Sequence, residues 1–404
     1  MTSPSGEPAQ PDRVLVVSAA MGAGHDAAGR ALAAAVTRLW PDATVQWVDV
    51  LDAVGLGTAP LFRGIYAGSV QHWPWAYEYF YGSLWRRRWF ARAAKRFMGM
   101  WTGRRLLPVL ARCRPDLVVS TFPMASTGLE WLRRHRDLSV RTGAWICDFA
   151  PHPSWVHADV DLNLVLHEVA VRPARDAVPG AVVAVTAPPV AQSFRPASRT
   201  EARRGLDMPD TALLAVVSCG SLGFGPVGDT VQELLDGHPR WQVVVVSGHN
   251  DRQHAELGVR FDCVRRVRVL GWVENMAELM AAADLVVTNA GGATVLEALA
   301  CGRAVVLHNP IAGHGRANAA LLAEAGLVRV CSGPGELTAL VGELAEDRRG
   351  LRELEAAAQR YTNSRDLEAG LVALSTAGFE FSADGYGGAE AGALPSAVLD
   401  SESA

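Results

Sequence analysis

The sequence predicts an α/β protein built from two consecutive doubly wound domains of similar size. Short apolar runs typical of buried parallel strands alternate with helical segments in both halves of the chain. A proline-rich segment at residues 188–197 interrupts this alternation, and the pattern then starts again. We therefore expect a first domain at residues 13–187, a linker at 188–197 and a second domain at 198–352.

In the first domain, the apolar run Arg13–Ser18 is predicted to be a strand, and a helix follows from about Gly24 to Leu39. The later strands predicted in this domain are Thr44–Asp49, Asp116–Ser120, Gly143–Cys147, Leu162–Leu166 and Val182–Val185. An irregular aromatic region and a long helix ending near Arg112 separate the second strand from the third. The second domain has predicted strands at Leu213–Ser218, Gln242–Ser247, Val267–Leu270, Leu285–Thr288 and Ala304–His308.

Composition excludes some classes of protein. The net charge of -4 argues against a general nucleic-acid binder, and no apolar run approaches the roughly 20 residues of a membrane-spanning helix. The six cysteines are scattered, so we expect reduced thiols in a cytoplasmic protein without a signal peptide. Residues 1–12 are polar and proline-rich, while residues 377–404 are rich in Gly, Ala and Ser and acidic, so disorder is expected at both ends.

The most informative segment runs from Asn289 to Arg303, where a strand leads into a Gly-Gly pair and an Ala/Leu-rich helix. Glycines let the backbone approach a ligand, and the helix start offers N–H groups to phosphate oxygens. A second segment, Gly313–Asn318, is predicted to be a loop that reaches the sugar. The residues of these two segments predicted to bind a nucleotide sugar are Asn289, Gly291, Gly292, Thr294, Glu297 (toward a ribose diol), His314, Arg316 and Asn318.

This arrangement resembles the donor signature of glycosyltransferase family 28, which contains monogalactosyldiacylglycerol synthases, bacterial diacylglycerol glucosyltransferases and the UDP-GlcNAc transferase of lipid II synthesis. The resemblance implies the GT-B fold, with the ligand in the cleft between two Rossmann-like domains. It also implies that residues 353–376 form a helix that returns to the first domain. Further donor-binding residues implied by it are Gly220, Ser221, Gly248, Asn250, Trp272 and Val273, the last two next to the uracil.

His25 follows the first strand in the segment Gly22–His25, where family 28 has a Gly-x-Gly-His motif. A histidine at a helix amino end is biased toward the neutral form, which suits removal of a proton from an acceptor hydroxyl. The resemblance therefore implies that His25 is the catalytic base and that Gly24 borders the acceptor. The alternatives are that His25 only caps the turn or binds phosphate or acceptor.

Asp148, His152 and Trp155 occur in the order that the glycolipid synthases share after a strand. The resemblance implies that Asp148 orients or activates the base, while His152 and Trp155 border the acceptor. A zinc site made of Asp148, His152 and His157 is an alternative. A polar loop with a packed tryptophan is another.

Residues 62–112 are dense in aromatic residues and arginine, a composition that favours peripheral binding to an anionic membrane. The residues predicted to contact the membrane are Trp73, Trp75, Trp85, Arg86, Arg87 and Trp89. A core helix with a solvated arginine face and RNA stacking are the alternatives.

Together these features predict an inverting hexosyltransferase that uses a UDP-hexose and a lipid acceptor, diacylglycerol or another lipid, with no metal or other cofactor. We expect it at the inner face of a bacterial cell membrane. A polyprenyl-linked or specialised-metabolite acceptor, a UDP-GlcNAc 2-epimerase and a nucleotide-sugar sensor remain open. The chain departs from the family at three positions: relatives often have Lys or Arg at the position of Asn289, Gln at that of His314 and Gly at that of Ala187. These differences bear on which sugar is transferred and on the rate of turnover.

Overall fold

The computed structural model describes residues 10–55, 57–206 and 212–377. Within them, each half of the chain forms a six-stranded sheet in which every paired strand is parallel. The predicted class, an α/β protein with two doubly wound units, is therefore confirmed. Most of the expected disordered ends lie outside the described residues, and the domain boundaries remain predictions.

The first unit has strand order β2-β1-β3-β4-β5-β6. Its strands are β1 (Arg13–Ser18), β2 (Thr44–Asp49), β3 (Leu117–Ser120), β4 (Arg141–Trp145), β5 (Leu162–Val165) and β6 (Val183–Val185). Its helices are α1 (Ala23–Leu39), α2 (Val50–Val54), α3 (Thr58–His72), α4 (Pro74–Arg86), α5 (Arg88–Cys113), α6 (Pro123–Arg136) and α7 (Val171–Ala177). Strand β4 starts two residues before its predicted position, because Arg141 pairs with Leu117 at the start of β3.

The aromatic region predicted to be irregular consists of α3 and α4, and α5 follows directly. Several of its large aromatic side chains are exposed, so the usual apolar stripe of a buried helix is missing from the sequence. This prediction was wrong for that reason.

The second unit has strand order β12-β11-β10-β7-β8-β9. Its strands are β7 (Leu213–Ser218), β8 (Trp241–Val246), β9 (Val267–Leu270), β10 (Leu285–Thr288), β11 (Ala304–His308) and β12 (Arg329–Cys331). Its helices are α8 (Arg199–Gly205), α9 (Val227–Gly237), α10 (Asp251–Phe261), α11 (Met276–Ala282), α12 (Ala293–Ala300), α13 (His314–Glu324) and α14 (Glu336–Glu346). Strand β12 was not predicted, because three residues at a sheet edge give no clear pattern.

The helical stretch predicted at the end of the chain is two helices, α15 (Arg349–Asn363) and α16 (Leu367–Thr376). Asp366 caps the start of α16 by accepting the Glu368 backbone N–H. Helix α15 packs on the second unit, whereas α16 packs against α1 and β4 of the first. Gly143 of β4 allows this approach, since an added Cβ there would overlap Leu374 of α16.

Because the strands of each sheet are parallel, the loops at their carboxyl ends gather at one edge of each unit. The two edges contact each other, since the Asn318 side chain of α13 accepts the backbone N–H of Ala150 after β4. The cleft between the two sheets therefore contains the segments that the sequence analysis singled out.

Candidate active site

His25 lies in the first turn of α1, and its ring faces the loop after β3. Its Nδ1 is 3.1 Å from the backbone carbonyl oxygen of Thr121. A carbonyl oxygen only accepts hydrogen bonds, so Nδ1 holds the hydrogen and the neutral ring has its free lone pair on Nε2. The sequence analysis expected Asp148 to orient or activate the base; the hydrogen bond that orients the ring is made with Thr121, while Asp148 acts on His25 through its charge.

The surroundings of His25 favour the neutral imidazole. Burial lowers the pKa of His25, and the Asp148 carboxylate and the Thr121 carbonyl oppose this effect. The ring packs edge-on against Phe122, with 5.1 Å between centroids, and its centroid is 5.7 Å from that of Trp155. An imidazole that is neutral and oriented in this way can accept a proton from a substrate hydroxyl.

Asp148 follows β4, and its carboxylate is held from both units. Trp155 Nε1 donates to Oδ2 at 2.9 Å, and Asn318 Nδ2 donates to Oδ1 at 3.0 Å. The side-chain oxygen of Asn318 accepts the backbone N–H of Ala150 at 2.7 Å. Asn318 was predicted to bind the donor, but both of its side-chain hydrogen bonds among the described residues join the two halves of the cleft.

His152 is buried and bonded within the protein. Its Nδ1 accepts the backbone N–H of Ser154 at 3.2 Å, and its Nε2 lies 3.3 Å from the Tyr81 carbonyl oxygen. Burial lowers the pKa of His152 to about 4, so the ring is neutral. Its side chain therefore fastens the Asp148 loop to α4, with no ring nitrogen left for an acceptor. Trp155 is also buried, and it contacts the site by donating to Asp148 and by packing near the His25 ring.

The amino end of α12 faces the same cleft as His25. Gly292 precedes the helix and Thr294 lies in its first turn. An added Cβ at Gly24 would lie 3.1 Å from the Ala293 Cβ, so the starts of α1 and α12 nearly touch. At Gly291 an added Cβ would crowd α13 in the same way. The glycines therefore bring the candidate base close to backbone N–H groups that can bind phosphate.

Glu297 lies one turn further along α12, and no hydrogen bond or ion pair reaches its carboxyl group from the described part of the chain. Burial raises the pKa of Glu297 to about 7. A partly buried carboxyl group without a partner is costly to keep, which indicates a ligand-binding role.

The loops after β7 and β8 pack against each other. Gly220 and Gly248 both have positive φ, at 74° and 64°, and an added Cβ at Gly248 would lie 2.6 Å from the Ser221 carbonyl oxygen. Asn250 caps α10 by accepting the Gln253 backbone N–H at 3.0 Å. The side chain of Asn250 is thus used in holding this glycine-rich edge.

Trp272, after β9, is 49% exposed and stacks on His249 with 4.0 Å between ring centroids and an interplanar angle of 11°. One face of the indole is therefore covered, and the exposed part of the residue remains available to a ligand. Val273 beside it packs against the main apolar core.

Asn289 lies at the end of β10 and is buried. Its Nδ2 donates to the Phe224 carbonyl oxygen at 2.6 Å, and its Oδ1 has no hydrogen-bond partner among the described residues. It lines a cavity of about 520 Å³ between α3–α4 and the carboxyl edge of the second sheet, together with Ile311 and Arg316.

The predicted loop Gly313–Asn318 is the amino end of α13, which begins at His314. His314 Nδ1 lies 3.1 Å from the Tyr77 hydroxyl oxygen, and Nε2 lies 3.4 Å from that of Tyr66. Glu78 accepts the backbone N–H of Gly313 at 2.6 Å. These contacts place α3 and α4 over the start of α13.

Sequence reasoning missed Tyr66, Tyr77 and Glu78 as parts of the site, because the whole aromatic segment was interpreted as a membrane surface. The spacing of Tyr77 and Tyr81, one helical turn apart, was the available signal for an inward face. No residue pattern could have indicated Thr121, since it acts through its backbone carbonyl. Arg316 is exposed, with Nη1 3.6 Å from Glu78 Oε2.

Most of the residues predicted to contact a membrane are on the surface. Trp73, Trp75 and Trp89 are 60%, 74% and 67% exposed, and Arg86 and Arg87 are exposed as well. Trp85 instead is half-buried and packs against His152, with 5.5 Å between ring centroids, and contact of these six residues with a membrane stays a prediction. Among the described helices, none has the length and apolar character to cross a membrane.

The zinc alternative finds no support in the structure, because the residues it describes contain no cluster of three or more potential metal ligands. His157 bonds to Glu130 at 3.0 Å in a buried network with Lys95, away from Asp148.

Comparison with solved structures identifies the fold. The glycosyltransferase of kitacinnamycin matches with a TM-score of 0.59 at 18% identity, covering 91% of this chain and 98% of that one. The Anabaena protein Alr3699/HepE, solved in complex with UDP-glucose, matches with a TM-score of 0.52 at 14% identity, covering 90% and 98%. These similarities show the fold, which is the GT-B fold of glycosyltransferases.

Family models then identify the family. The monogalactosyldiacylglycerol (MGDG) synthase model matches residues 25–190, and the glycosyltransferase family 28 C-terminal domain matches residues 214–366. The chain therefore belongs to glycosyltransferase family 28, and it is related to the diacylglycerol glycosyltransferases.

Two relatives show how similar the chain is to the diacylglycerol glycosyltransferases. The chloroplastic monogalactosyldiacylglycerol synthase of Spinacia oleracea is 25% identical over 372 residues, covering 83% of this chain and 67% of the relative. The processive diacylglycerol beta-glucosyltransferase of Bacillus cereus is 27% identical over 260 residues, covering 63% and 66%. The chain thus spans about two thirds of the length of these relatives.

Proposed function

We propose that this chain transfers a hexose from a UDP-sugar to the hydroxyl group of a lipid, with diacylglycerol as the acceptor. The observation that supports this most is the geometry of His25. Its Nδ1 faces the Thr121 carbonyl oxygen, which leaves Nε2 bare, and Gly24 beside it approaches Ala293 at the start of α12. A base for an acceptor hydroxyl is therefore adjacent to the helix end where a donor diphosphate would bind.

In the proposed reaction, Nε2 of His25 takes the proton of the acceptor hydroxyl as its oxygen attacks the anomeric carbon of the sugar. The bond from that carbon to the β-phosphate oxygen breaks, and UDP leaves with the bonding electrons. Backbone N–H groups at Gly292 and Ala293 would stabilise the charge that develops on the diphosphate. The nearby Asp148 carboxylate favours the imidazolium that forms on His25. Attack opposite the leaving group inverts the anomeric configuration.

We further propose that the transfer needs no metal ion. The positive end of the α12 dipole and the backbone N–H groups can supply the electrostatic stabilisation that a divalent cation would otherwise provide. Turnover that persists in EDTA would support this proposal, and loss of turnover restored by Mg²⁺ or Mn²⁺ would contradict it.

Two observations support a lipid acceptor. The names of the relatives specify diacylglycerol or its galactolipid product. In addition, Trp73 before α4, Trp75 on α4 and Trp89 on α5 are exposed near the exposed arginines Arg86 and Arg87, a combination suited to the headgroup region of an anionic membrane. We therefore propose peripheral binding at the inner face of the cell membrane.

The test is to incubate the purified chain with vesicles of diacylglycerol and phosphatidylglycerol and with labelled UDP-glucose, UDP-galactose or UDP-GlcNAc. Label in the organic phase with β configuration at the anomeric carbon is the expected result. The variant His25→Ala should reduce the rate of labelling about 10²- to 10⁴-fold, whereas His135→Ala, at an exposed position on α6, should leave it unchanged. Binding of UDP-sugar without labelled lipid would refute the acceptor, and a free epimerised sugar would refute transfer itself.

A further inference from the structure

The segment α3–α4 lies directly over the amino end of α13. The hydroxyl groups of Tyr66 and Tyr77 contact the two ring nitrogens of His314, and Glu78 binds the Gly313 N–H. The fit is close, since an added Cβ at Gly313 would lie 2.7 Å from the Tyr77 ring. The contacts thus come from one face of a helical pair whose other face is exposed.

The hydrogen bonds define which groups are left for a ligand. Neutral imidazole has one N–H donor and one bare nitrogen, so one tyrosine hydroxyl donates to His314 and the other accepts from it. The accepting hydroxyl retains its own hydrogen and can donate it elsewhere in the cleft. Burial raises the pKa of Tyr66 and Tyr77 and lowers that of His314, so these groups are neutral at physiological pH.

We propose that Tyr66, Tyr77 and Glu78 position the transferred sugar at the amino end of α13: one tyrosine hydroxyl donates to the sugar, and the other contacts hold His314 and Gly313 in place. This inference rests on the proposed function. The two tyrosines occupy both ring nitrogens of His314, so a hexose hydroxyl group would accept the hydrogen that the accepting tyrosine retains, whereas UDP would bind at α12 and the glycine-rich loops. Tyr66 and Tyr77 should therefore help to discriminate between hexoses while leaving the affinity for UDP unaffected.

A matched control lies on the same helix. Tyr79 is 54% exposed, and its hydroxyl oxygen is 3.5 Å from Arg87, away from His314. The substitution Tyr79→Phe removes the same atom as Tyr77→Phe, but from the outer face of α4. A difference between these two variants therefore reports the contact with His314 and not a general effect of losing a hydroxyl group.

The experiment is calorimetric titration of wild type, Tyr66→Phe, Tyr77→Phe, Glu78→Gln and Tyr79→Phe with UDP and with UDP-glucose, UDP-galactose and UDP-GlcNAc. For the preferred UDP-hexose we expect Tyr77→Phe to weaken binding about three- to tenfold, as loss of one hydrogen bond would. UDP binding should not change, and the spread of affinities among the three sugars should narrow. Glu78→Gln, which keeps an oxygen to accept the Gly313 N–H, should lie between wild type and Tyr77→Phe.

The outcomes test the positioning role separately from the proposed transfer to a lipid. If Tyr77→Phe matches Tyr79→Phe, or if UDP and UDP-hexose weaken equally, the positioning role is wrong. A wild-type chain that binds UDP-hexose no more tightly than UDP would also overturn it. If sugar-dependent binding is lost in Tyr66→Phe and Tyr77→Phe but the wild type labels no lipid, the inference is supported and the lipid acceptor fails.

Discussion

Glu297→Gln should make the protein more stable at alkaline pH and a weaker binder of UDP. In the structure, burial alone raises the pKa of Glu297 from an ordinary 4.5 to about 7. The folded state therefore binds this proton more tightly than the unfolded chain, and the free energy of unfolding decreases as pH rises from about 4.5 to about 7. Glutamine does not titrate and avoids this loss.

The difference between the two pKa values corresponds to about 3 kcal/mol. Because part of the side chain is accessible, we expect a gain of about 1 to 3 kcal/mol for the variant above pH 8 and almost none below pH 4.5. Urea unfolding of both proteins at pH 4.5 and pH 8.5 measures this gain. Glu343→Gln, at an exposed position on α14, is the control and should show no such dependence on pH.

The binding half of the prediction tests the ribose assignment. A carboxylate can accept both hydroxyl hydrogens of a ribose diol, whereas the glutamine amide offers one oxygen. We expect UDP affinity at pH 8.5 to decrease about tenfold or more, the size of one charge-assisted hydrogen bond. An equal gain in stability at both pH values would refute the claim that Glu297 has a raised pKa because its carboxyl group is buried without a partner. Unchanged UDP affinity would refute its contact with ribose.

Three further predictions concern the cleft and the surface. His25→Ala should lower turnover about 10²- to 10⁴-fold with UDP affinity unchanged, and equal losses measured in both would make it a binding residue. Asn318→Ala leaves Asp148 and the Ala150 N–H without their partner, so urea unfolding should show a loss of about 1–3 kcal/mol; unchanged stability would contradict this. Trp75→Ala should weaken sedimentation with anionic vesicles without changing UDP affinity; wild-type sedimentation would exclude a membrane role for Trp75.

Local sequence patterns were sufficient for the sheets, because buried parallel strands need continuous apolar runs such as Leu213–Ser218. Patterns failed where burial is one-sided or pairing is short. Helix α4 exposes Trp75, Tyr79 and Phe80, and the edge strand β12 has only three residues. The predicted start of β4 was two residues late, because pairing with a neighbouring strand, and not hydropathy, sets where a strand begins.

The sequence by itself determined the glycine-rich turns, the position of His25 after the first strand and the order of the donor segments, because backbone geometry and strand–helix alternation are local properties. Only the tertiary structure decided which partners these residues have. Thr121 orients His25, Asn318 joins Asp148 to the second unit, and Tyr77 holds His314, over separations of 96, 170 and 237 residues. Hydrogen bonds between such distant residues depend on how the two sheets and the α3–α4 pair pack together, and no local pattern encodes that packing.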